Sequence, residues 1–123
     1  MIEHRSLLQS FHHAWAGVVF AVKNNQNIRI HFIIAVLVVI VGFVLNVSAF
    51  EIGILGVMIL FVFSAEMINT AIEEMTNLIT REHRAEAKIA KDVSAGMVLV
   101  VSVGAAMVGI LVFLPHILEL TGI

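Results

Sequence analysis

Residues 32–47 read FIIAVLVVIVGFVLNV, a nearly unbroken apolar run that decides the fold. Together with residues 28–31 it reaches roughly the 20 residues that a helix needs to cross a hydrocarbon core about 30 Å thick. The rest of the chain is similar in character, because 60% of its 123 residues are apolar, 13% are charged and the mean hydropathy is +1.05. One all-α domain, residues 1–123, embedded in a membrane is therefore predicted.

Two more segments are predicted to cross the membrane, so that the three spans cover about residues 28–47, 52–73 and 93–114. The second starts with IGILGVMILFVFSA (52–65), which is too short to span alone and must continue into a polar stretch. Pro115 is expected to end the third span, because proline lacks the amide proton that a helix interior needs. Ala105 and Gly109, four residues apart, predict a close contact between helices.

The positions of the basic residues predict the orientation. All seven Lys and Arg residues lie before the first span, in its first turn (Arg29) or between the second and the third. By the positive-inside rule, the N-terminus and residues 78–92 are cytoplasmic, whereas residues 46–51 and the C-terminus lie outside. A multi-pass protein of a bacterial cytoplasmic membrane is expected.

Residues 5–23 form a separate helical segment ahead of the first span. Their apolar side chains recur at helical spacing, opposite a polar face that includes Arg5, His12 and Lys23. This pattern predicts an amphipathic helix that lies on the cytoplasmic membrane surface, with Trp15 at the level of the headgroups. A helix that packs against the bundle is the alternative.

Several classes of function are excluded by composition. The chain has no cysteine, which excludes disulfides and Cys-based metal sites. A net charge of −2 without a basic stripe argues against a nucleic-acid partner. No pair among His4, His12, His13 and His31 has the i,i+4 spacing of a helical zinc site. The functional groups are therefore sought among carboxylates, carboxamides and lysines.

Polar residues interrupt the second span in AEMINTAIEEMTN, residues 65–77. At about 1.5 Å per residue, a helix entering at residue 52 has risen roughly 21 Å by Glu66 and roughly 31 Å by Glu73. Glu66, Asn69, Glu73 and Asn77 fall within roughly 80° of one another, so they line one stripe. A charge facing lipid costs at least about 2.5 to 3.5 kcal/mol, so the stripe is expected to face other helices or a wet pocket.

Lys91 and Asp92 end the loop TREHRAEAKIAKD, residues 80–92, and Asp92 is predicted to stand at the N-terminus of the third helix. These polar residues also have explanations that require no activity. Glu66 and Asn69 would form hydrogen bonds between helices. Lys91 would extend its ammonium group to the membrane surface, and Asp92 would be an ordinary N-cap. Phosphoryl transfer also needs this set, because oxygen ligands hold Mg²⁺, a cation contacts phosphate and a carboxylate accepts a proton. Neither a P-loop nor an H-R-D motif is present, so soluble phosphotransferase classes do not fit.

The elements EMINTAIE (66–73), AKIAKD (87–92) with VSAGMVLV, and NIRIH (27–31) resemble the small bacterial integral-membrane diacylglycerol kinase family, especially its undecaprenol kinase branch. The resemblance covers about residues 10–115. It implies a surface helix with three spans, a homotrimer with active sites between subunits, and phosphorylation of a membrane lipid alcohol, undecaprenol or diacylglycerol, by MgATP.

The resemblance also implies roles for single residues. Glu66 matches the general base of the family, and Glu73, Asn25 and Asn77 match its metal-binding positions. Substrate or ATP binding is implied for four more residues: Asn69, Lys91, Asp92 and Gly17.

Two positions depart from the family pattern, which has a glutamate at Asn25 and an aspartate at Asn77. The loss of two negative charges is expected to weaken Mg²⁺ and MgATP binding, and Glu74 or Glu82 is predicted to compensate in part. A catalytically weak or inactive relative that binds lipid or nucleotide as a membrane trimer is the alternative function. A small channel or carrier is disfavoured, because residues 52–63 carry no polar stripe toward the outside.

Overall fold

The computed structural model describes residues 6–123, which form four α-helices: α1 (Leu7–Asn24), α2 (Gln26–Val44), α3 (Ala49–Ile79) and α4 (Ala85–Thr121). The last three are each long and apolar enough to cross a membrane. The prediction of an all-α chain with three candidate spans is thus confirmed. Arg5, the first residue of the predicted surface helix, and His4, one of the histidines considered for a metal site, lie outside the described residues.

A sharp corner at Asn25 separates α1 from α2. The Asn25 backbone is extended, and its side-chain oxygen accepts hydrogen bonds from the backbone N–H groups of Asn27 at 2.8 Å and Ile28 at 3.4 Å. The Arg29 guanidinium donates to the carbonyls of Val22 at 3.0 Å and Lys23 at 2.8 Å, in the last turn of α1. Both helix ends at the corner are therefore capped by local side chains.

Most of α1 does not pack against the other helices. Within this helix only Ala21 is buried, while Phe11 is 71% exposed and Trp15 is 61% exposed. The alternative in which this helix packs along the bundle is therefore not adopted over most of its length. Its position on a membrane surface stays a prediction.

The connection between α2 and α3 is a tight turn at the opposite end of the bundle. Asn46 adopts a left-handed conformation with φ 56°, which asparagine tolerates better than most residues. Ser48 and Glu51 form a capping box that starts α3. A Cβ atom on Gly42 would come within 2.8 Å of the Ile52 side chain, so glycine permits the close approach of α2 to α3 there.

The two ends of α4 differ from the prediction. Pro115 lies inside α4 rather than at its end. A proline removes only one helical hydrogen bond, so the helix can continue beyond this position. The helix ends instead before Gly122, whose φ is 71°. It also starts at Ala85, so the prediction that Asp92 stands at its N-terminus is wrong, because the helix formers of residues 85–91 extend the helix into the loop.

Candidate active site

Glu66 is the most deeply buried polar side chain of the described residues, at 1% exposure. Its Oε2 accepts a hydrogen bond from Asn25 Nδ2 at 2.9 Å. His31 Nε2 lies 3.3 Å from Oε1, close enough for a charge contact, but the ring is not angled to donate a hydrogen bond. Among residues 6–123, Oε1 thus has no hydrogen-bond donor. Glu66 faces protein, as expected, with one oxygen held by Asn25 and the other buried without a donor.

Asn25 is tied to α3 at two points. Its Nδ2 donates to Glu66 Oε2 and to the Thr70 hydroxyl oxygen, both at 2.9 Å. The Thr70 hydroxyl in turn donates to the Glu66 carbonyl at 3.0 Å. Since Thr70 is one helical turn after Glu66, the corner between α1 and α2 is docked against a single turn of α3.

Asn69 joins α3 to α4. Its side chain is buried, and its Oδ1 lies 2.7 Å from the Ser94 hydroxyl. The same hydroxyl lies 3.0 Å from the Lys91 carbonyl, and it can donate its proton to only one of the two acceptors at a time. Asn69 is therefore linked through Ser94 to the turn of α4 that carries Lys91.

Lys91 and Asp92 make different contacts although they are neighbours. Lys91 is half-buried, and its Nζ donates to Asn77 Oδ1 at 2.8 Å. Asp92 is exposed and pairs with Lys88, four residues earlier on α4. The structure therefore brings Lys91 and Asn77 together, while Asp92 lies in an ion pair on the surface.

A polar cavity of about 470 Å³ lies between the end of α3 and the start of α4. Its lining includes four cationic and two anionic side chains: Arg81, Arg84, Lys88, Lys91, Glu82 and Asp92. Because cations outnumber acids here, the cavity favours an anionic ligand, and Arg and Lys are the side chains that contact phosphate oxygens.

An apolar cavity of about 560 Å³ lies between α2, α3 and α4. Its lining extends from His31 near the start of α2 to Ile117 near the end of α4, and the polar side chains in it are His31 and Ser102. Ala105 and Gly109 line this cavity, and a Cβ atom on Gly109 would meet nothing within 4 Å among the described residues. The predicted close helix contact at Gly109 is thus not made within the chain, where small residues leave space instead.

The three expected metal ligands do not converge within the chain. Glu73 is exposed and has no hydrogen-bonding partner in residues 6–123, Asn77 accepts from the Lys91 ammonium, and Asn25 is bound to Glu66 and Thr70. In that part of the chain, no group of three or more His, Asp or Glu side chains is placed to share a metal. Glu73 alone fits a Mg²⁺ ion that arrives with a nucleotide, since Mg²⁺ often takes one or two carboxylates and phosphate oxygens.

Three residues that were not predicted from the sequence contact the predicted site residues. Thr70, His31 and Ser94 touch Glu66, Asn25 or Asn69 directly. Thr70 follows Glu66 by one turn and Ser94 follows Lys91 by three residues, so helical spacing carried a signal for both. Gly17 is exposed on α1 and, like Glu66, lines neither cavity within residues 6–123.

Comparisons with known proteins agree on one family. The model of the family described as prokaryotic diacylglycerol kinase matches residues 12–113. An undecaprenol kinase from Bacillus subtilis is 39% identical over 119 residues, which cover 94% of this chain and 97% of the relative. A diacylglycerol kinase from Synechocystis sp. is 37% identical over 116 residues, which cover 94% of this chain and 66% of that longer relative.

Proposed function

The chain belongs to the prokaryotic diacylglycerol kinase family of lipid kinases, and we propose that it transfers the γ-phosphoryl group of ATP to a membrane lipid alcohol. The acceptor is undecaprenol or diacylglycerol, the substrates named by its two relatives, and transfer occurs at the cytoplasmic face. The observation that carries the proposal is the buried carboxylate of Glu66, whose Oε1 lacks a donor among the described residues.

Glu66 acts as the general base in this proposal. The acceptor hydroxyl donates its proton to Oε1, and its oxygen attacks the γ-phosphorus of ATP. The bond between that phosphorus and the β–γ bridging oxygen breaks, so ADP leaves and a lipid phosphate forms. A buried site suits this step, because water is kept from the carboxylate and from the phosphoryl group.

The apolar cavity accommodates the lipid chain. His31 contacts Glu66 and also lines the cavity, so an alcohol whose hydroxyl reaches Oε1 can place its hydrocarbon among the apolar side chains of α2, α3 and α4. Because the lining is mostly apolar, burial of a hydrocarbon chain in this cavity is favourable.

Filling this cavity is expected to discriminate between acceptors by chain length. Gly109→Leu adds a side chain to open space in the cavity, and we expect kcat/KM for undecaprenol to fall about tenfold, with little change for a short-chain polyprenol. Gly53→Leu is the matched control, because Gly53 is exposed on α3 and also has open space around it. Equal losses in both variants, or none for undecaprenol, would contradict this placement of the chain.

The polar cavity binds the nucleotide phosphates in this proposal. Lys91 contacts them, with Arg81, Arg84 and Lys88 contributing positive charge. Magnesium, bound with ATP, would neutralise phosphate charge, and Glu73 is the residue that would hold it. Asn69 keeps the α4 turn of Lys91 in register with the α3 turn of Glu66 through Ser94.

Partial compensation by Glu74 or Glu82 is tested by neutral substitutions. Both side chains are exposed on the same part of the molecule as Glu73, and Glu82 lines the polar cavity. In Glu82→Gln or Glu74→Gln, we expect the Mg²⁺ concentration for half-maximal activity to rise about threefold, relative to wild type, through the loss of one nearby charge. An unchanged metal dependence in both variants would show that neither residue compensates.

The proposed assembly is a homotrimer with the N-terminus in the cytoplasm and the C-terminus outside. The distribution of the seven basic residues supports this orientation. Glu73 and Asp92 are exposed in the single chain, which leaves them accessible to another subunit, as composite sites require.

A catalytically weak or inactive membrane trimer is the second candidate. It is favoured by Asn25 and Asn77, whose amides are bound to Glu66 and Lys91 rather than free to hold metal. Nucleotide binding without ATP turnover that depends on a lipid alcohol would support this candidate.

A further inference from the structure

We infer that Asn25 is a positioning residue for Glu66 and is not a ligand to the metal. Its amide holds Oε2 of the carboxylate, which leaves Oε1 directed toward the acceptor. The catalytic part of this inference rests on the proposed role of Glu66 as the base, whereas the contact itself does not.

The hydrogen-bonding capacity of Asn25 is fully used in the folded chain. Its two amide protons go to Glu66 Oε2 and the Thr70 hydroxyl, and its oxygen accepts from the N–H groups of Asn27 and Ile28. A carboxamide oxygen has two lone pairs and its NH₂ group has no acceptor site. A metal ion at Asn25 would therefore displace the cap of α2.

An amide suits this position better than an acid does. A carboxylate in place of Asn25 would face Glu66 Oε2 across a hydrogen-bond distance without a proton to share, and two such groups repel unless a cation lies between them. With asparagine the contact is a hydrogen bond to a charged acceptor. Because Glu66 is 1% exposed, water cannot replace that bond if it is lost.

The contact fixes the orientation of the carboxylate as well as its place. Asn25 Nδ2 also donates to the Thr70 hydroxyl, which in turn donates to the Glu66 backbone carbonyl. The Asn25 amide is therefore fixed relative to the turn of α3 that carries Glu66. With Oε2 held, Oε1 points to the side where His31 lies at 3.3 Å, next to the apolar cavity. A base oxygen that is fixed in this way meets an incoming hydroxyl without reorganising.

The decisive variant is Asn25→Asp, which keeps an oxygen to cap α2 but removes both donated protons. We expect kcat to fall about tenfold or more, while KM for ATP and the Mg²⁺ concentration for half-maximal activity stay within about twofold. Asn24→Asp is the matched control, because it places the same charge at the neighbouring exposed position, and it should retain wild-type kcat.

Two readouts that do not need turnover complete the test. Electron paramagnetic resonance of Mn²⁺ with ATP should give the same metal affinity for wild type and Asn25→Asp. The Glu66 carboxylate band is isolated in infrared difference spectra, in which the spectrum of the same protein carrying Glu66→Gln is subtracted from that of each protein. Relative to wild type, this band should be shifted in Asn25→Asp but not in Asn24→Asp.

The outcomes separate this inference from the proposed function. Tighter Mn²⁺ binding with higher kcat in Asn25→Asp would show that position 25 serves the metal, and would overturn the inference. An unshifted carboxylate band would overturn it as well. A shifted band in a protein whose wild type forms no lipid phosphate would support the contact and reject the kinase proposal.

Discussion

Replacement of Glu66 with glutamine is expected to lower the rate of lipid phosphorylation by about 10² to 10⁴-fold, the usual contribution of a general base. Glutamine keeps the shape of the side chain and an oxygen for the Asn25 amide, but it cannot take the proton of the acceptor hydroxyl. The loss should therefore fall on kcat, with KM for ATP nearly unchanged. The initial rate of phosphate transfer from radiolabelled ATP to the lipid alcohol measures it.

Glu119→Gln is the control for this substitution. Glu119 is exposed near the end of α4, so its neutralisation removes the same charge without touching the site, and wild-type activity is expected. A Glu66→Gln variant that keeps wild-type kcat would remove Glu66 from the role of base. It would leave the structural role of this residue between α3 and the Asn25 corner intact.

The second large effect is expected at Lys91. Its ammonium group is half-buried at the polar cavity and donates to Asn77, so Lys91→Met removes a charge held in a defined place. We expect kcat/KM for ATP to fall about 10² to 10³-fold, as for the loss of one fixed group that stabilises transition-state charge. Steady-state kinetics at varied ATP concentration measures the change.

Lys23→Met is the matched control for the loss of a basic residue. Lys23 is exposed at the end of α1 and, within residues 6–123, lines neither cavity. Its neutralisation should change kcat/KM for ATP by less than about twofold. If Lys91→Met behaved like Lys23→Met, Lys91 would be a snorkelling anchor rather than a phosphate ligand.

The architecture could be predicted because few backbone structures are stable within the hydrocarbon core of a membrane. Apolar runs of spanning length must form helices, and a glutamate within such a run must face protein. The spacing placed Glu66, Asn69, Glu73 and Asn77 on one stripe, of which Glu66 and Asn69 are buried in the chain and Glu73 and Asn77 are exposed. These predictions depend on local pattern and on the solvent, and neither requires knowledge of which helices touch.

The contacts that complete the site could not be predicted in the same way. Asn25 and Glu66 are 41 residues apart, and nothing in their local sequence shows that the corner between α1 and α2 docks on α3. The metal role expected of Asn25 came from the family resemblance alone. Pro115 was expected to end the helix because the local rule for proline does not show that the helix continues beyond it, and the contact expected at Gly109 is not made within the chain.

The most direct test is whether purified wild-type protein in lipid vesicles, given γ-labelled ATP and Mg²⁺, moves the label onto undecaprenol or diacylglycerol. We predict a labelled lipid phosphate that is absent without either the alcohol or Mg²⁺ and that is nearly abolished in Glu66→Gln. Nucleotide binding with no labelled lipid for either alcohol would contradict the account, since the Glu66 carboxylate would then have no acceptor hydroxyl to deprotonate.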